Sequence, residues 1–132
     1  MKKDNLFLGF EETPFTKGVS TETKLVGVVA QGWNLLWVGI AENITVDGDN
    51  ATEKMIELIK FSQFTHGIKA IFLKGISISG FNVINIKKLH QETGIPVIVC
   101  IKKEPSLDRI KGALLKIGQA HKMALFSDIG SI

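Results

Sequence analysis

The sequence lacks the features of disulfide-stabilised, membrane-spanning and exported proteins. Its one cysteine, Cys100, excludes an internal disulfide framework, and the apolar neighbours Val99 and Ile101 predict a buried thiol in a reduced setting. The longest uncharged run, residues 25–41, has seventeen residues, against roughly twenty for a transmembrane helix. At the N-terminus, Asp4 precedes a short apolar run, without the pattern of a signal peptide. We therefore expect a cytoplasmic protein with no membrane association.

Residues for nucleophilic or zinc chemistry are also scarce. The three histidines, His66, His90 and His121, are far apart along the chain, and no Cys-x-x-Cys motif exists. His90 follows Leu89, which should face inward on a helix, so a structural histidine is favoured over a catalytic base. The sequence predicts neither a catalytic triad nor a zinc site.

What is present suffices for one domain with a hydrophobic core. The chain has 132 residues, of which 45% are hydrophobic, and a mean hydropathy of +0.20, which excludes disorder caused by low hydrophobicity. Residues 1–66 hold six lysines and nine acids (−3), and residues 67–132 hold ten basic residues and four acids (+6), for a net charge of +3. This asymmetry fits a basic face beside an acidic one, although ordinary solvated helix faces explain it as well.

Hydrophobic periodicity predicts an α/β fold. We expect three antiparallel strands followed by the order αβαβα, with the helices packed on a mixed sheet, because parallel strands need helical crossovers. A capping box of Asn50 and Glu53 opens the first helix, and residues 95–101, around Ile98, form a central strand. The tail, residues 119–132, shows no clear period. The predicted strands cover residues 6–10, 24–30, 35–46, 70–73 and 95–101, and the helices cover 51–63, 82–93 and 105–117.

Charged residues follow three of the predicted strands. These are Glu11 and Glu12 after the first strand, Asp47 and Asp49 after the third, and Lys74 after the fourth. Ligands favour the carboxyl ends of parallel strands, and acids from separate segments that converge there suit Mg²⁺. Asp49 is equally well placed to cap the helix that begins at residue 51.

A second candidate site lies between the fourth strand and the next helix. Ser77, Ser79 and Gly80 precede that predicted helix, whose N-terminal N–H groups favour an anion such as a phosphate. The Lys-Ser/Thr pair of a P-loop is absent. Lys102 and Lys103 would add positive charge at the same edge. The plain alternative is a tight connection capped by Ser79 or by Asn82.

Two tryptophans flank the predicted hairpin turn at residues 32–34. Trp33 and Trp37 have the chemistry to stack on nucleic-acid bases. We favour the simpler roles of covering the sheet or forming a subunit contact, so a homo-oligomer is one expectation.

Several segments together resemble an uncharacterised, largely archaeal family, domain of unknown function 99, which is similar to endonuclease V. The resemblance rests on residues 9–15, 45–48, 51–54, 80–83 and 89–99, and it covers roughly residues 6–118. It implies an RNase-H-like fold, in agreement with the predicted element order. It also implies a single domain over residues 1–132 that is short at the C-terminus compared with typical members.

The resemblance implies a metal-dependent site that this chain has altered. In endonuclease V relatives the first strand ends in an aspartate and the fourth in Asp-Gly, and both aspartates hold the Mg²⁺ for phosphodiester hydrolysis. Here the two positions are Glu11 and Lys74. We expect the Lys74 ammonium to lie near Glu11, Glu12 or Asp47 as a built-in counter-ion, with no cofactor bound.

Three functions follow as hypotheses. The first is an endonuclease V-like domain without nuclease activity that retains weak nucleic-acid or phosphate binding. The second is an active Mg²⁺-dependent endonuclease, in which Glu11 and Asp47 would hold the metal. The third is a protein-interaction or assembly subunit.

Overall fold

The computed structural model describes residues 5–14, 16, 19–100 and 107–122. No helix within these residues is long and apolar enough to span a bilayer. The strands are β1 (Leu6–Glu12), β2 (Glu22–Gln31), β3 (Asn34–Thr45), β4 (Ile68–Leu73), β5 (Ser77–Ile78), β6 (Asn82–Val83) and β7 (Val97–Val99). The helices are α1 (Ala51–Ser62), α2 (Ile86–Thr93) and α3 (Leu107–Lys116), and a 3-10 turn covers Ala120–Lys122.

Five strands form one mixed sheet in the order β3-β2-β1-β4-β7. β1, β2 and β3 pair antiparallel, whereas β1 pairs parallel with β4, and β4 pairs parallel with β7. The predicted mixed α/β sheet is thereby confirmed. Because β1 and β4 are parallel neighbours, their carboxyl ends lie side by side, and the residues that follow each strand meet at one end of the sheet.

The core lies between one face of the sheet and α1. Leu8 and Phe10 of β1 alternate with outward residues, as a strand covered on one face requires, and both are buried. On α1, Met55 and Ile59 recur at helical spacing and are buried against the sheet. This packing fixes the position of the loop that leads from β3 into α1.

The last strand departs from the sequence prediction. β7 spans three residues and occupies an edge of the sheet, so the prediction of a central strand over residues 95–101 is wrong. Ile98 is 39% exposed, and Cys100, predicted to be buried, is exposed. The physical reason is that β7 pairs only with β4 among the described strands, so neighbouring strands within that part of the chain cover it on one side.

A small antiparallel hairpin replaces the start of the predicted second helix. Ser77 pairs with Val83 and Ile78 pairs with Asn82, so residues 77–83 form β5, a turn and β6. The helix begins later, with Asn85 as N-cap accepting the Lys88 N–H at 3.0 Å.

Candidate functional site

The ion pair between Lys74 and Glu11 marks the carboxyl ends of β1 and β4. Lys74 follows β4, and its Nζ pairs with Oε2 of Glu11 near the end of β1. The expected proximity of Lys74 to an acid of this site is therefore confirmed. Both side chains face solvent, with Lys74 81% and Glu11 54% exposed.

The pair favours the charged form of Glu11 and adds little to stability. The hydrogen bond from Lys74, followed by its charge, holds the pKa of the Glu11 carboxyl below its ordinary value. Because both groups are exposed, water and salt screen the attraction, and such pairs contribute at most about 1 kcal/mol. The pair therefore sets the charge of the site more than it stabilises the fold.

Glu12 has a different partner, in the β5–β6 hairpin. Its Oε2 accepts a hydrogen bond from the Ser79 N–H. The Ser79 hydroxyl is buried and shares a hydrogen bond with the hydroxyl of Thr23 on β2. The Glu12 carboxylate thus connects the turn of the β5–β6 hairpin to the end of β1 by a hydrogen bond.

Asp47 binds the same turn from the other side. Its Oδ1 accepts the Phe81 N–H at 2.7 Å, and its own N–H donates to the Ser79 carbonyl at 2.8 Å. Gly80 adopts a φ of +73°, and a Cβ there would collide with Asp47 Oδ1. Only glycine fits this close approach in the left-handed region. The two carboxylates, Glu12 and Asp47, therefore serve as acceptors for backbone N–H groups of one turn.

This geometry contradicts the reason for placing a phosphate at Ser77, Ser79 and Gly80. No helix begins at this turn, Ser79 is buried, and the N–H groups of Ser79 and Phe81 already donate to carboxylates. Lys102 and Lys103 lie outside the described residues.

A buried lysine that the sequence did not reveal completes the Asp47 loop. The side chain of Lys122 is 2% exposed, and its Nζ donates to the carbonyls of Gly48 at 2.7 Å and Asp47 at 3.2 Å. It also donates to the Phe81 carbonyl and lies 3.3 Å from Oδ1 of Asp49. One ammonium therefore joins the loop after β3, the hairpin and the 3-10 turn. It falls in the stretch without periodicity, where sequence patterns gave no signal.

The start of α1 also differs from the predicted capping box. The Asn50 side chain makes no cap hydrogen bond, and its Oδ1 instead accepts the Thr45 N–H at 3.1 Å. Glu53 pairs with Lys88 of α2. The capping box is therefore wrong. Asp49, the alternative cap, pairs with Lys122.

A side chain of the β5–β6 hairpin caps the first N–H group of α1. The Oδ1 of buried Asn82 accepts the Ala51 N–H at 3.0 Å, and its Nδ2 donates to the Thr45 carbonyl and to Asn50 Oδ1, each at 2.8 Å. Asn82 was predicted as a cap for the helix that follows it. It caps the preceding helix, α1, because the hairpin folds back against that N-terminus.

A small cavity adjoins the ion pair. It measures about 180 Å³ and is lined by Glu11, Glu12, Lys74, Gly75 and Ser77 and by the apolar side chains of Phe10, Met55, Leu73, Ile78 and Ile84. Its polar end carries two carboxylates and one ammonium. Within the described part of the chain, no three Asp, Glu, His or Cys side chains gather in a metal-binding group. In this arrangement Glu11 is paired with Lys74 and Glu12 accepts a hydrogen bond from the hairpin, so both carboxylates that Mg²⁺ would need as ligands already have a partner.

The strand order and crossovers define an RNase-H-like fold, which solved structures of endonuclease V share. The first is endonuclease V from Ciona intestinalis, in complex with a DNA 24mer containing an inosine followed by a ribo-adenosine. It aligns with a TM-score of 0.56 and 9% sequence identity, over 91% of this chain and 56% of that chain. Human ENDOV aligns with a TM-score of 0.54 and 14% identity, over 84% and 54% of the two chains. At these identities the likeness shows the fold alone.

The chain belongs to the family described as endonuclease dU, which it matches over residues 4–132. A UPF0215 protein from Methanothermobacter thermautotrophicus is 39% identical over 114 residues, which are 86% of this chain and 56% of the relative. A UPF0215 protein from Pyrococcus furiosus is 35% identical over 117 residues, 88% and 60% of the two chains. The chain thus spans less than two thirds of the length of these relatives. A protein of unknown function from Archaeoglobus fulgidus, 29% identical, aligns with a TM-score of 0.84 over 97% of this chain and 71% of that one.

Proposed function

We propose that this domain binds nucleic acid at the carboxyl ends of β1 and β4 and does not cleave it. The observation that carries the proposal is the ion pair of Lys74 with Glu11. Lys74 stands where the resemblance to endonuclease V places a metal-binding aspartate. A fixed ammonium there removes one anionic ligand and repels a divalent cation.

The same ammonium suits a phosphate group. An ammonium has three N–H donors, and Glu11 uses part of that capacity while 81% of the Lys74 side chain remains exposed. Lys74 can therefore bridge the Glu11 carboxylate and a phosphate oxygen. Family membership supports nucleic acid as the ligand class, because the family description names an endonuclease.

Fluorescence anisotropy tests the binding. Labelled single-stranded and duplex DNA should bind at low salt, with an affinity that falls as salt rises, because neutralised phosphates release counterions. Lys74→Met should weaken binding. Lys69→Met, which removes an exposed lysine from β4, is the matched control and should weaken it less. Absence of binding, or equal effects of the two variants, would contradict the proposal.

The second candidate is a metal-dependent endonuclease acting on deoxyuridine in DNA, as the family description suggests. The exposure of the Lys74–Glu11 ion pair favours this second candidate, because a divalent cation can displace an ammonium that is held by at most about 1 kcal/mol. Glu11 would then act as a metal ligand in the position that Lys74 now neutralises.

Cleavage assays separate the two candidates. Under the first proposal, DNA with a single deoxyuridine stays intact in Mg²⁺ or Mn²⁺, and Lys74→Asp makes the melting temperature rise with added Mn²⁺ because a carboxylate pair is restored. Metal-dependent cleavage that Glu11→Gln abolishes would replace the first proposal with the second.

A further inference from the structure

The face of the sheet opposite α1 carries apolar residues on all five strands. Gly9 lies between the core residues Leu8 and Phe10 of β1, so it belongs to this second face. Strand pairing places one residue of each strand in a single row with it: Val38, Val28, Gly9, Phe72 and Ile98. The adjoining rows contain Ile40 and Val26 on one side and Leu35, Ala30, Phe7 and Ala70 on the other. We call these eleven residues the outer apolar layer; Glu11, which pairs with Val26, borders it at the carboxyl end of β1.

The row through Gly9 is open to solvent on the strands at both edges of the sheet. Val38 is 54%, Phe72 36% and Ile98 39% exposed. The other face of the same strands is covered by α1, and its residues Leu8 and Ile71 are at most 1% exposed. Single exposed apolar residues are ordinary, but a continuous layer of them indicates a contact surface.

Trp37 lies on the covered face and does not contribute to the outer apolar layer. It pairs with the core residue Val29, and its ring occupies the space that a Cβ on Gly39 would need. The side chain packs partly buried against the core of its own chain. Trp33, in the hairpin turn, is fully exposed.

The three parallel strands β1, β4 and β7 have the sequences of strands that are covered on both faces. Residues 6–10, 70–73 and 97–99 are apolar or glycine, without polar residues in alternation. In a sheet with one solvated face, polar and apolar residues alternate, whereas parallel strands between two layers are apolar throughout. The parallel strands therefore predict a second layer of structure over the outer apolar layer.

Gly9, in the middle of the row, indicates where this second layer comes closest. A Cβ at Gly9 would meet no atom within 4 Å, and its φ lies outside the left-handed region. Neither its backbone conformation nor its described neighbours therefore require glycine. A glycine inside a strand weakens the strand and is typical of a site where another backbone approaches closely.

The unmatched part of the relatives has the length that such a layer needs. The 114 matched residues are 86% of this chain and 56% of the Methanothermobacter relative, so about 18 residues of this chain and about 90 of the relative lie outside the match. The Archaeoglobus protein, with a TM-score of 0.84, has 71% of its chain in the superposed part. Strands about 4.8 Å apart make a five-stranded sheet about 19 Å wide, and two helices, each about 10 Å in diameter and about 15 residues long, cover that width.

We propose that the outer apolar layer is the docking surface for two amphipathic helices from the part of the family members that lies outside the match. The helices lie along the strands with their apolar stripes on the layer, and their backbones come closest to the sheet at Gly9. Uninterrupted apolar parallel strands call for this cover, and the unmatched residues of the relatives are long enough to provide it. The proposal does not depend on the function proposed for the Lys74 site.

Thiol labelling with a small maleimide tests the docking. In a Cys100→Ser background, Val38→Cys and Ile98→Cys report on the two edges of the layer, and Val19→Cys, an exposed site outside it, is the matched control. Each is made in the 132-residue chain and in a fusion of that complete chain to the unmatched part of the Methanothermobacter relative, joined at the end where the relative carries it. Labelling at positions 38 and 98 should slow at least about tenfold in the fusion, because a docked segment must open before the thiol reacts. Labelling at position 19 should stay unchanged.

Gly9→Val tests the close approach. In the 132-residue chain it should leave the melting temperature unchanged or raise it, because valine favours strands and meets no described atom there. In the fusion it should remove most of the protection at positions 38 and 98, because the added side chain keeps the helices away from the sheet.

Other occupants of the layer give different results. Labelling of Val38→Cys that slows as the concentration of the 132-residue chain rises would identify a second copy, and labelling that accelerates when residues 123–132 are removed would identify the chain's own tail. Either result would overturn the proposal, as would unprotected thiols in a fusion that circular dichroism shows to be folded. The intact relative, with cysteines at the positions that align with Val38 and Ile98, gives the same comparison without a fusion.

Discussion

The Nζ of Lys122, whose side chain is buried, lies 2.7 Å from the Gly48 carbonyl oxygen in the loop after β3. This contact connects the end of the described chain to the loop that carries Asp47. The buried ammonium donates to the carbonyls of Asp47, Gly48 and Phe81, and the Asp47 carbonyl also accepts a hydrogen bond from Gln119 Nε2 at 2.7 Å.

Replacing Lys122 should therefore be costly. Lys122→Met removes three hydrogen bonds from a buried ammonium and should lower the free energy of unfolding by about 2–4 kcal/mol, because hydrogen bonds of a charged group contribute more than neutral ones. Lys116→Met, at the exposed end of α3, should change it by less than about 0.5 kcal/mol. Urea denaturation measures both. Similar losses in the two variants would mean that the buried contacts contribute little.

The Glu11–Lys74 pair predicts a pH dependence. Because the folded-state pKa of Glu11 is lowered, the pair adds stability above the unfolded-state value of about 4.3 and loses it as the pH falls through the folded pKa. The stability difference between wild type and Lys74→Met, at most about 1 kcal/mol at pH 7, should disappear once the pH has fallen below the folded-state pKa of Glu11.

Carboxyl NMR titration checks the same pair directly. Lys74→Met should return the pKa of Glu11 toward its ordinary value, and Lys69→Met should leave it unchanged. A Glu11 pKa that is indifferent to Lys74→Met would show that the two groups do not interact in solution.

The turn of the β5–β6 hairpin allows a matched glycine comparison. Gly80 and Gly94 have nearly the same φ, +73° and +72°, but a Cβ meets Asp47 at Gly80 and open space at Gly94. Gly94→Ala should cost about 1 kcal/mol of strain. Gly80→Ala should cost at least about 1 kcal/mol more, because Asp47 must also move. Thermal denaturation that ranks the variants equally would remove the argument for a close approach at Gly80.

Two asparagines that cap different helices should differ in their contribution. Asn85→Ala removes the single hydrogen bond that caps α2 and should cost about 1 kcal/mol. Asn82→Ala removes three hydrogen bonds of a fully buried side chain and should cost about 2–4 kcal/mol. Chemical denaturation of the two variants measures the difference, and a smaller loss for Asn82→Ala would contradict the assignment of the α1 cap.

The sequence predicted the large elements because their apolar periods are long. The predicted β2–β3 hairpin and α1 lie within a few residues of their observed bounds, and the Lys74–Glu11 contact, expected from the resemblance to endonuclease V, is made where the parallel strands β1 and β4 end. The sequence did not predict β5 and β6, because two-residue strands have no detectable hydrophobic period. It also placed Ile98 in a central strand, whereas the edge position of β7 leaves it 39% exposed. Truncating Ile98 removes less buried surface than truncating a core isoleucine such as Ile71, which is fully buried.

The partners of the site's carboxylates could not be predicted from the sequence. Acids after strands indicate a metal, but their number says nothing about their partners. Glu12 and Asp47 are taken by backbone N–H groups of a turn that could not be foreseen, and Lys122 reaches that turn from a stretch without pattern. Long-range side-chain contacts of this kind depend on how the chain closes in three dimensions.

The way in which amides at the β5–β6 hairpin are hydrogen-bonded predicts how they exchange with solvent. The amides of Ser79 and Phe81 are bound by side chains of β1 and the loop after β3, and the amide of Ala51 is bound by a side chain of β6. Separation of the hairpin from its neighbours breaks all three of these hydrogen bonds together. Their hydrogen exchange should therefore share one opening rate, that of the β5–β6 hairpin.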